Sequence, residues 1–506
     1  MTKVKHPKLQ NPIEKQFNNV SRYHYYLYFL IFSSKIPTFW HVLNLIFLSP
    51  PIDYYCNVTD DAANSTKNIC PCDEPVWDKS VFSETMQTKF GLYCESLWLV
   101  SFAQSMMFVG LLIGSLVFGL LSDRYGRLSM FSMSCLITAV SGCLVSAMPT
   151  AAAFTFMRHI EGIGTGGAII TSYVLCIEYT GVRHREVITA LFHLPLNISH
   201  MTLPGISYLL RHCDEFQLAL SIPLLFYVGM RWMVLESPKW LMDSDRIDDT
   251  VIAMEKLASY AGLPIENIRN QIEEYSAHHS TKSRRRIKIW HIFRHKKLAL
   301  NFLYMSIIYF LCGMGYYGVT QYISKMSGNI HINVAISGLL LVPGTIAAIF
   351  LLQILNRRTF LMTTIFLSSL FMIFNVCIPM YYKWMRVVIA CICNCFFFMS
   401  FIIVFLFGVE LFPTSVRNSV LGILSVLARL GQIVAPYINA LSENASGIVF
   451  GVLALSGTLV CYLLPETKDT ELPSSLDDMK ALSRKKIHLE EDVEVNQNVT
   501  TSSIVQ

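Results

Sequence analysis

The stretch GLLIGSLVFGLLSDRYGR, running from Gly110 to Arg127, decides how the chain is read. An apolar helix punctuated by Gly110, Gly114 and Gly119 ends abruptly in Asp123-Arg124-Tyr125-Gly126-Arg127. An apolar segment of this kind suits the bilayer core, and charges gathered at its end need water or lipid headgroups. The pair therefore marks a membrane exit, and Arg124 and Arg127 place that exit on the cytoplasmic side. The glycines let a neighbouring helix approach closely, while Asp123 can pair with arginines or with the positive start of the next helix. About 230 residues later an apolar run ends in Asn356-Arg357-Arg358. Aligning Asp123-Arg124 with Asn356-Arg357 predicts a duplicated chain.

The composition agrees. Of 506 residues, 53% are hydrophobic and only 15% charged, with mean hydropathy +0.45. That excludes an ordinary soluble globular protein and predicts an all-α, polytopic membrane protein. The net charge of +5 is small, and the basic residues collect between helices. They serve as orientation signals rather than as a nucleic-acid surface. Apolar runs are expected at about 25–48, 96–121, 128–148, 152–177, 187–210 and 216–235, and again at about 299–322, 332–355, 359–381, 385–412, 416–441 and 448–464. Twelve spans in two six-helix bundles, 25–235 and 299–464, follow. They are joined by a basic cytoplasmic linker, 236–298, and flanked by cytoplasmic tails, 1–24 and 465–506. The linker segment from Asp248 to Tyr260 is expected to be amphipathic and to lie on the membrane surface.

The polar segment 50–95 between the first two spans carries the sequons at Asn57 and Asn64 and the cysteines Cys56, Cys70, Cys72 and Cys94. These mark an extracellular, glycosylated loop with disulfides whose pairing the sequence leaves open. A zinc site at Cys70 and Cys72 has the wrong spacing and no histidine in the loop. No metal site, cofactor site, P-loop or catalytic triad is expected.

The two halves also match at Glu178 with Arg183 and at Glu410 with Arg417, each pair at a cytoplasmic helix end. Glu236-Ser-Pro-Lys and Glu466-Thr-Lys match at the close of each half. The glutamates are placed to pair with the hinge arginines, in networks that close the inner side in one state and break in another.

These motifs resemble the major facilitator superfamily and, within it, the organic cation, anion and carnitine transporters of solute carrier family 22. The resemblance rests on Asp123-Arg124-Tyr125-Gly126-Arg127, on Glu236-Ser237-Pro238-Lys239-Trp240-Leu241, on Glu410-Leu411-Phe412-Pro413-Thr414-Ser415-Val416-Arg417-Asn418 and on Leu464-Pro465-Glu466-Thr467-Lys468. It covers about Tyr25 to Lys468 and implies a multi-pass plasma-membrane transporter of small organic ions. There are two departures. The extracellular loop is shorter than is usual for the family, and Asn356 stands where the superfamily often has Asp, which predicts a weaker second hinge.

An ionisable side chain at mid-membrane is costly and marks a functional site by default. Arg429, near the middle of the eleventh span, is the clearest case. Its guanidinium fork matches a carboxylate or sulfate and repels a simple cation. By the resemblance, anion and carnitine carriers look like this chain here, whereas cation carriers tend to hold an acid. Two observations stand beside that reading: Arg429 could instead pair structurally with Glu161, and the span-eight lysine common in anion carriers is replaced by Thr345. Tyr309, Phe310, Tyr316 and Tyr317 in the seventh span present rings for cation–π or stacking contact. By resemblance, Tyr309 and Tyr316 align with aromatic substrate contacts of the cation members of that family. In span four, Gly162-Ile-Gly164-Thr-Gly166-Gly167 reads as close packing rather than a dinucleotide loop. Arg158 and Glu161 are candidates for coupling, and His193 and His200 for proton coupling. The expectation is a secondary transporter of carboxylate-bearing anions or zwitterions, coupled to a proton or sodium ion. A cation carrier and a non-transporting ligand sensor are the alternatives.

Overall fold

The computed structural model describes residues 13, 17, 20–56, 66–72, 74–181, 184–262, 267–280, 296–412 and 417–467. Eleven helices among them are long and apolar enough to cross a membrane. Spans one to four are Arg22–Leu48, Cys94–Tyr125, Arg127–Ser146 and Ala151–Glu178, and span six is Cys213–Met233. Spans seven to twelve are Lys296–Lys325, Ile330–Ile354, Arg357–Cys377, Lys383–Leu411, Val420–Ile438 and Glu443–Tyr462. The fifth crossing is broken into Arg185–Leu191 and Leu194–Leu209. Pro195 stands at the start of the second piece, where its missing N–H costs no helical bond. Leu196 N donates to His193 O at 3.2 Å, which leaves the Phe192 carbonyl outside the helical ladder.

Each half is held together by close helix crossings. A Cβ on Gly110 or Gly114 of span two would collide with the span-four backbone at His159 and Ile163, and one on Gly162 or Gly166 would collide with Met107 and Leu111 of span two. Gly164 and Gly167 press instead on Thr138 and Ser134 of span three. The glycine run of span four is thus a two-sided packing surface. Gly119 departs from expectation: nothing lies within 4 Å of the place its Cβ would occupy. In the second half, Gly313 and Gly431 bring spans seven and eleven together in the same way, against Ala428 and Phe310.

Spans two and eleven, and spans five and eight, join the halves. Ser105 Oγ donates to Ile433 O at 2.9 Å and Ser101 Oγ to Pro436 O at 3.3 Å. Asn197 Nδ2 donates to Thr345 Oγ1 at 2.7 Å, and Ser207 Oγ lies 3.3 Å from His331 Nε2.

Outside the helices, strands β1 (Tyr54–Cys56), β2 (Thr66–Lys67) and β3 (Pro75–Trp77) form an antiparallel sheet in the order β2-β1-β3. Disulfides Cys56–Cys72 and Cys70–Cys94 tie the sheet to the start of span two. Asn57 and Asn64 lie outside the described residues. At the opposite end, helix Ile247–Ala261 buries Val251, Met254 and Leu257 against the first half, in one cluster with Tyr23 and Tyr179. The helix is amphipathic as expected, and its apolar face is covered by protein.

Candidate functional site

Two charge clusters repeat at the ends of the halves remote from the disulfides. In the first, Asp123 pairs with Arg127, and Arg127 Nε donates to Glu178 Oε1 at 3.0 Å. The start of span three has Gly126 at its cap position and no side-chain cap of its own. Glu236 supplies one, accepting from Arg127 N at 3.1 Å, Leu128 N at 3.1 Å and Ser237 N at 3.0 Å. A Cβ on Gly126, at φ +102°, would sit 2.5 Å from that carboxylate. In the second cluster Arg357 Nε donates to Glu410 at 3.3 Å. Span nine begins after Asn356, which likewise makes no side-chain cap. Glu466 accepts from Arg357 N at 2.8 Å, Arg358 N at 3.1 Å and Thr467 N at 3.0 Å.

The capping bond spans 109 residues in both halves, and the arginine–glutamate bond spans 51 and 53. That register corrects the expected alignment. Arg127 corresponds to Arg357, and Asn356 occupies the cap position of Gly126 rather than the place of Asp123. The duplication itself stands. The glutamates do meet the hinge arginines, though each network ties helices within one half. Arg124 is exposed and lies over the Tyr125 ring, and Arg358 reaches the Leu464 carbonyl at 3.1 Å. Arg183, and the side chain of Arg417, lie outside the described residues.

A different kind of cluster lies buried in the first half. Arg158 NH1 donates to both Glu161 oxygens at 3.1 Å, Gln217 Nε2 donates to Glu161 Oε1 at 3.1 Å, and His41 Nδ1 pairs with the same carboxylate. Asn44 Nδ2 donates in turn to Gln217 Oε1 at 2.8 Å. The Arg158–Glu161 pair was legible from the i, i+3 spacing, whereas its partners His41 and Gln217, from other spans, were not. Glu161 is thereby committed to Arg158 and His41, which removes it as a partner for Arg429. His200 is buried with neither ring nitrogen bonded among the described residues. His193 stands at the break in the fifth crossing, edge-on to Phe398 and Phe401.

Arg429 and Lys35 form the third group, each at the midpoint of its span, Val420–Ile438 and Arg22–Leu48. Arg429 NH1 donates to Gln432 Oε1 at 3.0 Å, and the Tyr317 hydroxyl faces its guanidinium. Lys35 is buried, with Nζ over the Phe192 ring and 3.4 Å from the Phe192 carbonyl that the Pro195 break exposes. The two cations lie within electrostatic reach of one another. Among the described residues neither has a carboxylate partner. Lys35 went unread in the sequence, although the rule that singled out Arg429 applies equally to it.

The expected rings separate into distinct positions. Tyr316 and Tyr317 pack on each other with centroids 4.9 Å apart, Tyr316 lies 5.0 Å from Phe398, and Tyr317 meets Phe108 of span two at 5.6 Å. Tyr309 stands edge-on to Phe405 at 5.2 Å and within reach of Tyr173 of span four. Phe310 joins none of these ring contacts and gives its backbone to Gly431. The span-ten rings Phe398, Phe401 and Phe405 were missed, although their spacing of three and four residues puts them on one helical face.

The profile described as sugar (and other) transporter matches residues 62–475. The chain is 28% identical over 433 residues to the organic cation transporter protein of Drosophila melanogaster, covering 84% of this chain and 78% of that protein. It is 28% identical over 435 residues to solute carrier family 22 member 6 of Rattus norvegicus, with the same coverage. It is 26% identical over 430 residues to solute carrier family 22 member 3 of the same species, covering 84% and 77%. The inward-open xylose transporter XylE from E. coli superposes with a TM-score of 0.68 at 15% identity, over 91% of this chain and 100% of that one, and so shares the fold. The chain belongs to the sugar (and other) transporter family of the major facilitator superfamily, as a multi-pass membrane transporter of the solute carrier family 22 type.

Proposed function

We propose that the chain carries carboxylate-bearing organic anions or carnitine-like zwitterions by alternating access across the plasma membrane. The observation that carries this reading is the pair of mid-span cations, Arg429 and Lys35, without a carboxylate among the described residues. Unpaired charge in a low-dielectric interior is expensive, and a ligand carboxylate relieves the cost. A simple organic cation meets repulsion from each cationic head, about 4 kcal/mol for unit charges about 4 Å apart at an effective dielectric of about 20. Tyr316, Tyr317 and Phe401 offer ring faces for the apolar body or the ammonium of a zwitterion. Lys35 also supplies from span one the second cation that Thr345 does not supply from span eight.

In this reading the disulfide-bearing end faces the outside, the hinge clusters and both termini face the cytoplasm, and the halves rock about the 2–11 and 5–8 contacts. The Arg158–Glu161–His41 group is the candidate for proton coupling, since an imidazole and a carboxylate from different spans share one buried cluster there. Cells expressing the chain should accumulate labelled carnitine or p-aminohippurate in preference to tetraethylammonium, with internal substrate accelerating external uptake. Binding without such trans-stimulation would identify a sensor, and selective tetraethylammonium uptake would identify a cation carrier.

A further inference from the structure

Four donor residues converge at the disulfide-bearing end, away from the substrate region. Glu84 comes from the segment after β3, and His212, Cys213 and Asp214 come from the turn into span six. One ligand atom from each lies within 4.8 Å of all the others. The backbone fixes the arrangement: Cys213 N donates to Glu84 O at 3.1 Å, and Ser83 N to Arg211 O at 3.1 Å.

We propose that Glu84, His212, Cys213 and Asp214 form a zinc-binding site. Two independent features support it. The first is metrical. For a tetrahedral ion with Zn–N, Zn–O and Zn–S bonds of usual length, adjacent nitrogen and oxygen ligands lie about 3.4 Å apart and sulfur and oxygen about 3.6 Å apart. His212 Nε2 is 3.1 Å from Glu84 Oε2, and Cys213 Sγ is 3.6 Å from Asp214 Oδ1 and 3.9 Å from Glu84 Oε2. These three of the six edges lie within a few tenths of an ångström of the tetrahedral values, and the other three are within 4.8 Å. The second is chemical. The set mixes imidazole, thiol and carboxylate, which selects zinc over the hard ions calcium and magnesium. Cys213 is a free thiol whose hydrogen bonds run to carboxylate oxygens, and His212 is held only through Nε2, with Nδ1 unpartnered among the described residues.

The charges also balance. Two carboxylates and a thiolate exceed a divalent ion by one negative charge. Lys89 offsets it, with Nζ 2.7 Å from both Asp214 oxygens, where it orients the ligand from outside the site. Binding transfers the Cys213 proton to solvent, so affinity tightens as pH rises. The bound ion ties the external segment to the start of span six.

The test uses the purified full-length chain, stripped with a chelator and titrated with zinc ion alone, and is independent of any transport assay. Bound zinc is measured by equilibrium dialysis and stability by thermal melting. One zinc per chain, a raised melting temperature, no response to calcium or magnesium, and loss of both signals in His212→Ala and Cys213→Ser are expected. Glu84→Gln, which keeps the side-chain shape, gives the same readout if either of those variants fails to fold. Absence of bound zinc, or a zinc-induced shift that persists in these variants, overturns the assignment.

Discussion

Removing the Glu236 carboxylate tests the repeat at the hinge ends. Span three starts at Gly126 without a side-chain cap, so the backbone N–H groups of Arg127 and Leu128 depend on a glutamate more than a hundred residues away, which also accepts from the adjacent Ser237 N. A hydrogen bond to a charged group contributes about 1.5–3 kcal/mol, and loss of a helix cap costs about 0.5–2 kcal/mol. Glu236 is only partly buried, so water replaces some of what Glu236→Ala removes. The net cost is therefore about 2 kcal/mol, with Glu236→Gln losing about half of that because it keeps one acceptor oxygen. Glu466 accepts from the equivalent N–H groups of Arg357, Arg358 and Thr467, so Glu466→Ala should cost a similar amount. Melting curves of purified variants in detergent measure this, with Arg269→Ala, which removes an exposed surface pair, as the silent control. If Glu236→Ala melts with the control while Glu466→Ala falls, the two hinges are not equivalent and the repeat argument fails.

Three further outcomes follow from the packing and the buried charges. Gly166→Ala drives a Cβ into the Leu111 backbone and should destabilise by about 1–3 kcal/mol, whereas Gly119→Ala, facing open space, should melt like the parent. Equal melting of the two would remove the close-crossing account of spans two and four. Glu161→Ala leaves the Arg158 guanidinium buried without a carboxylate and should cost about 3–5 kcal/mol, read as loss of folded protein by fluorescence-detected size exclusion; parent-like yield would show that Arg158 finds another partner. Glu161→Gln, with uptake normalised to the protein that reaches the surface because it too leaves Arg158 without a carboxylate, should remove any pH dependence of uptake. An unchanged pH profile would exclude Glu161 from coupling.

Most of the fold was legible because a bilayer imposes it: apolar runs of about twenty residues, basic ends and a repeated hinge leave few alternatives. What the sequence hid was pairing across distance. Hydropathy does not register the break in the fifth crossing, and it cannot show that the break leaves the Phe192 carbonyl facing Lys35. Motif matching slid the second hinge by three residues, because the real correspondence lies in backbone N–H groups meeting Glu236 and Glu466 rather than in the charged letters themselves. Arg429 was found as a lone charge, but whether Glu161 neutralised it depended on His41 and Gln217, which come from other spans. Glu84 and His212–Asp214 are separated by four spans, so no local spacing announces them.

Uptake of labelled carnitine, p-aminohippurate and tetraethylammonium in cells expressing the parent chain, Arg429→Asp and Lys35→Gln, normalised to surface expression, tests the central claim most directly. The account predicts that the parent takes up a carboxylate-bearing substrate and that both substitutions abolish that uptake. Selective uptake of tetraethylammonium, unchanged when either cation is removed, would contradict it.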